Sequence, residues 1–176
     1  MTNDQPDELE RVLLANERFA ADAFTAGGLG ALGPRPARRL AVVACMDARL
    51  DVARALGLGP GDAHVIRNAG GLATDDAIRS LAISRAALGA DTVLVVEHTG
   101  CGLLGLDDDA LRQELDASVA LPLGGFDDLE TNLRAQIERI ASHPWTAGMT
   151  VHGLIYDVAS GRLSSIGTTA TLQPGG

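Results

Sequence analysis

The stretch TVLVVEH, residues 92–98, constrains the fold more than any other part of this chain. Its apolar residues follow one another with no polar residue between them, so both faces of the strand they form must be covered. Strands of that kind belong to parallel sheets with helices on either side. LAVVAC, residues 40–45, has the same character. DAHVIR (62–67) and MTVHGLIYDV (149–158) supply two more strands, and LSSIG (163–167) follows the turn SGR as a candidate antiparallel edge.

Helical segments fill the intervals. LDVARALGL reads as a short helix. TDDAIRSLAISRAALG reads as a buried one, with Thr74 as N-cap, Asp75 and Asp76 in its first turn, and Gly89 at its end. FDDLETNLRAQIERIAS lines Leu129, Leu133, Ile137 and Ile140 on one face, with Glu130, Arg134 and Glu138 on another. The alternation predicts an α/β fold: a central, mostly parallel sheet of four strands with a candidate antiparallel edge, flanked by helices. Ahead of it, ELERVLLANERFAADAF spaces Leu9, Val12, Leu13, Phe19 and Phe24 as a helix would, and TAGGLGALGPRP links it to the first strand. With 176 residues, 46% of them hydrophobic, one core is expected, hence a single domain over 1–176 with 1–37 as arm and linker.

Charge narrows the partners. Lys and Arg total 14 against 23 Asp and Glu, a net charge of -9 that repels nucleic acid and anionic membranes alike. No stretch reaches the roughly 18–20 apolar residues of a membrane span, and the start, MTNDQPDELERV, is acidic where a secretory signal is basic. The expectation is a cytoplasmic protein whose two cysteines are thiols.

Those cysteines sit at strand ends. Cys45 closes the first strand, with Asp47 and Arg49 just beyond it, and EHTGCG puts His98 and Cys101 at the end of the third. Ligands of parallel sheets collect at the carboxyl ends of strands. Alone, Cys45 reads as a small buried residue, His98 as a satisfied polar group, and Asp47 with Arg49 as a loop ion pair. If the two strands are neighbours, two thiolates and an imidazole converge, a set that suits Zn²⁺ with a fourth position left open. Zinc brings the pKa of a bound water to about 7, making hydroxide available at neutral pH. Asp47 is then either an acceptor for that water or, in a closed state, the fourth ligand, and a bidentate pair with Arg49 decides between them.

At these residues the chain resembles the β-class carbonic anhydrases. CMDAR matches Cys-x-Asp-x-Arg, HTGCG matches His-x-x-Cys-Gly, and VIRNAGG resembles the Arg-Asn loop between them. VACMDARLDV, AHVIRNAGG and TDDAIRSLAIS are similar to the short prokaryotic branch. The resemblance implies zinc on Cys45, His98 and Cys101, an Asp47–Arg49 dyad, a substrate contact from the backbone N–H of Gly102, and a homodimer with its active sites at the interface. Ala48 stands where many members have Ser, and Gly100 where close relatives have Asp. GPRPARR holds no upstream Gln, and 3% aromatic content leaves little for an aromatic pocket lining.

The function expected is zinc-dependent hydration of CO₂ to bicarbonate by zinc-bound hydroxide, in a homodimer or higher even oligomer, with Arg67 facing the anionic product. One alternative is carbonyl sulfide hydrolysis on the same scaffold. Another is a non-catalytic, zinc-stabilised binding protein in which Asp47 closes the metal. Other motifs read as structure: RNAGGLATDD lacks the P-loop Lys, DDDA at 107–110 lacks calcium-loop spacing and its Gly and reads as a solvated helix start, His64 and His152 lie within strands, and His143 precedes Pro144 at a helix end.

Overall fold

The computed structural model describes residues 7–23 and 28–169, which fall into two compact units divided after Pro34. The first holds α1 (Glu8–Ala23). Asp7 and Glu10 cap its start reciprocally, each carboxylate accepting the other's backbone N–H. Its apolar side chains Leu9, Val12, Leu13 and Phe19 are exposed. Phe24, assigned to the same face by its spacing, lies outside the described residues, as do residues 25–27 of the expected linker.

The second unit carries a five-stranded sheet in the order β2-β1-β3-β4-β5: β1 (Leu40–Cys45), β2 (Ala63–Asn68), β3 (Thr92–His98), β4 (Thr150–Tyr156) and β5 (Leu163–Thr169). The first four run parallel and β5 pairs antiparallel with β4. The candidate edge LSSIG is thus a full strand that continues to Thr169, where cross-strand pairing to Val151 extends it. Helices α2 (Val52–Ala55), α3 (Asp75–Ala86), α4 (Asp108–Leu115) and α5 (Leu129–Ser142) connect the strands. Thr74 caps α3 by accepting the N–H of Ala77, and Asp128 caps α5 by accepting that of Thr131. His143 is the residue that ends α5. No described helix is long and apolar enough to cross a membrane.

Every residue of β1 is buried, because alternate side chains enter two different cores. Ala41 and Val43 join Val93, Val95 and Val151 under Leu81 of α3 and Leu133, Ile137 and Ile140 of α5. Leu40, Val42 and Ala44 join Val96, Leu50 and Val52 on the other face, and Cys45 and Cys101 belong to that second cluster. The covered faces are what the unbroken apolar runs require.

Candidate metal centre and active site

The strand order brings the two decisive ends together. β1 and β3 are parallel neighbours with Ala44 level with Val96, so Cys45 and His98 emerge side by side at the carboxyl edge. The turn after His98 returns Cys101 to the same spot. The sulfurs of Cys45 and Cys101 and a ring nitrogen of His98 all lie within 4.8 Å of one another, in three buried side chains that could hold a metal ion. Both cysteines are free thiols.

His98 is oriented for that task. Its Nδ1 lies 3.0 Å from the carbonyl of Thr99, which only accepts, so Nδ1 carries the proton and Nε2 a lone pair. The ring is fully buried, yet Nε2 has no hydrogen-bond partner. A buried, unpartnered acceptor is costly unless something electrophilic meets it. With two thiols beside it, the donor set fits a cation of the zinc type. Thr99 is in turn held at the strand end: its hydroxyl donates to Asp157 and accepts the N–H of Val158. Burial pushes the Cys101 thiol up from its ordinary value, so a bound cation would have to displace its proton.

Asp47 borders the cluster, its Oδ2 3.8 Å from His98 Nε2. The carboxylate is gripped by Arg49 three times: Nε to Oδ1 at 2.9 Å, Nη2 to Oδ2 at 2.7 Å, and the backbone N–H to Oδ1 at 2.9 Å. The guanidinium, and then the backbone N–H, hold Asp47 well below the usual carboxylate range, and Asp47 in return raises Arg49. Nη2 of Arg49 also donates to the carbonyl of Gly100 at 2.9 Å, tying the dyad to the turn between His98 and Cys101. Gly100 has a φ of +64°, a conformation open to Gly and tolerated by Asp or Asn.

Arg67 of β2 braces the segment after β1, donating to the carbonyls of Cys45 at 3.0 Å and Asp47 at 2.7 Å. Gly102 follows Cys101 and is exposed. His64 and His152 lie away from the cluster, bonded to Ser84 and Thr168. Gly71 was not singled out in the sequence, although a Cβ there would stand 2.9 Å from Cys45 N and 3.0 Å from Val96 O. The Thr99 and Gly100 carbonyls were also missed, since a backbone acceptor leaves no mark on residue type.

Residues 40–121 match the model of the Carbonic anhydrase family. Over 148 residues the chain is 40% identical to Beta-carbonic anhydrase 1 of Mycobacterium tuberculosis (strain ATCC 25618 / H37Rv), covering 81% of this chain and 91% of the relative. It is 37% identical over 151 residues to a Carbon disulfide hydrolase of Acidithiobacillus thiooxidans, covering 72% of this chain and 76% of that one. Among solved structures, the carbonic anhydrase from Streptococcus mutans aligns with a TM-score of 0.82 at 36% identity, over 93% of this chain and 99% of the other. Similarity of that extent, on the same fold and through the segments that bear Cys45, His98 and Cys101, makes this chain a member of the β-carbonic anhydrase family.

Proposed function

We propose that this chain catalyses the reversible hydration of carbon dioxide to bicarbonate, with zinc held by Cys45, His98 and Cys101. The observation that carries the reading is the ionised Asp47, locked by Arg49 against the edge of the three-donor cluster. When bound, zinc supplies a Lewis acid that brings the pKa of water to about 7. Asp47 accepts a hydrogen bond from the attacking water and turns its lone pair toward the carbon. Arg49 engages both carboxylate oxygens, which keeps Asp47 out of the ligand set. The water oxygen bonds to carbon, one C=O electron pair moves onto oxygen, and a proton passes to solvent, so that CO₂ and H₂O become HCO₃⁻ and H⁺. The backbone N–H of Gly102 meets the substrate, and Arg67, exposed beside the turn, attracts the anionic product.

Stopped-flow hydration by the zinc-loaded protein tests this directly, with proton release expected and its absence overturning the reading. A second reading, carbonyl sulfide hydrolysis, is supported by the carbon disulfide hydrolase relative, since such molecules share the linear shape and electrophilic carbon of CO₂. Sulfide release from carbonyl sulfide in a paired assay, faster than CO₂ turnover, would favour it. The non-catalytic alternative needs Asp47 on the metal, and the three bonds from Arg49 argue against that.

The exposed apolar residues of α1 suit an arm laid over a second copy, giving one domain in a homodimer or a multiple of it. Sedimentation showing only monomer at micromolar concentration would reject that assembly. Thiol ligands must stay reduced to bind metal, which fits a cytoplasmic setting.

A further inference from the structure

Glu97 precedes His98 on β3 and is 1% exposed. Successive side chains on a strand point to opposite faces, so Glu97 turns toward α5. Its Oε1 accepts a hydrogen bond from Nδ2 of Asn132 at 2.8 Å. Oδ1 of Asn132 accepts from Nε2 of Gln136 at 3.0 Å, and Oε1 of Gln136 accepts from the backbone N–H of Ala73 at 2.9 Å. The path then reaches β2, the strand paired with β1. Asn68, level with Cys45 in the sheet, binds Leu72 on both sides, Oδ1 accepting its N–H and Nδ2 donating to its carbonyl, each at 2.8 Å.

We infer that Glu97, Asn132 and Gln136 are positioning residues that set the spacing of Cys45 and His98, an inference resting on the zinc reading above. The circuit joins β3, which ends in His98, to the end of β2, which pairs with Cys45 of β1, through α5 and the Leu72–Ala73 loop. Burial alone does not account for it. A carboxyl group with Oε2 unpartnered is a poor filler between a helix and a sheet, where a hydrocarbon side chain packs with no desolvation penalty. Directional hydrogen bonds supply what hydrocarbon contacts lack: a fixed register of β3 against α5 and the loop. Partners beyond the ligands tune metal sites in this way, and their loss weakens metal binding by roughly 10–100-fold.

The test uses the full chain and three variants: Asn132→Leu and Gln136→Met, which break the circuit, and Glu97→Gln, which keeps an acceptor for Asn132. Zinc affinity is measured by chelator competition, the visible spectrum after cobalt substitution reports ligand geometry, and urea midpoints of the metal-free proteins report stability. The two breaking variants are expected to bind zinc roughly tenfold or more weakly with shifted cobalt bands, while Glu97→Gln stays near the parent. Lower urea midpoints with zinc affinity and cobalt bands unchanged in the folded variants would overturn the inference. Should Asn132→Leu not fold, Gln136→Met decides, because it leaves the partner of the buried Glu97 carboxyl in place. A parent that binds no zinc overturns the metal reading and this inference with it. A parent that binds, beside variants that bind equally, overturns this inference alone.

Discussion

Asp47 and Asp108 are both held below the usual carboxylate range, and they have different surroundings. Asp108 opens α4, and its two oxygens accept the N–H groups of Gly124 at 3.0 Å and Gly125 at 2.8 Å. Those bonds, with backbone pairing of Gly105 and Phe126, close the base of the excursion that follows Cys101. Its hold is local and structural. Asp47 is held by the guanidinium and the backbone N–H of Arg49, and its Oδ2 also borders the unpartnered Nε2 of a buried histidine. A lowered carboxylate is therefore no mark of function by itself. The neighbours decide: of the two, Asp47 borders an acceptor that lacks a partner.

The strongest way to break the contrast is to remove a ligand. Cys45→Ser, His98→Ala and Cys101→Ser are each expected to weaken zinc beyond the roughly 10–100-fold that loss of an outer partner costs. Elemental analysis reading about one zinc per chain in all three would refute the centre. Next comes the dyad. Asp47→Asn should keep zinc and lose activity by about 100-fold or more, within the range of a general acid–base contribution. Arg49→Ala should do the same by another route, since the freed carboxylate can enter the ligand set. Full hydration activity in Asp47→Asn would mean that the reaction needs no carboxylate there.

Gly71→Ala tests the frame behind the ligands. Gly71 has a φ of +70°, and its added Cβ would meet the backbone of Cys45, Ala44 and Val96, none of which can rotate away. A loss of about 2 kcal/mol or more in urea unfolding is expected, together with weaker zinc binding. The smallest effect belongs to Asp108→Asn: a modest fall in thermal midpoint with zinc and activity unchanged. Its pH dependence has a definite sign. Because the folded Asp108 lies below its ordinary 3.8, its stabilisation is present above that value and is lost as pH falls through the folded value. Parent and variant midpoints should thus differ at neutral pH and converge in strong acid. A comparable loss of activity in Asp108→Asn would erase the distinction between the two carboxylates.

Much of this was legible in the chain because it is local. The unbroken apolar runs required covered strands, and Thr74 marked the start of α3, while Gly89, at a φ of +81°, lies just beyond its C-cap Ala87. Leu133, Ile137 and Ile140, at helical spacing, are buried as expected. Cys45, Asp47, Arg49, His98 and Cys101 stood out through residue type and spacing, which a short segment carries by itself. The length of β5 did not, since LSSIGTT has few apolar residues and is a strand through its pairing with β4.

What the sequence determined alone, then, was the set of elements and the residue types offered at their ends. Period, caps and turn chemistry act over a few residues and need no distant partner. Tertiary structure decided that β1 and β3 are neighbours, which turns two separate motifs into one cluster. It also decided that Arg49 reaches the carbonyl of Gly100, and that Glu97 faces Asn132 rather than the ligands. Each of those contacts joins residues 35 or more positions apart. Strand order and helix packing set such distances, and both depend on burying the two cores at once, a condition that no short segment contains.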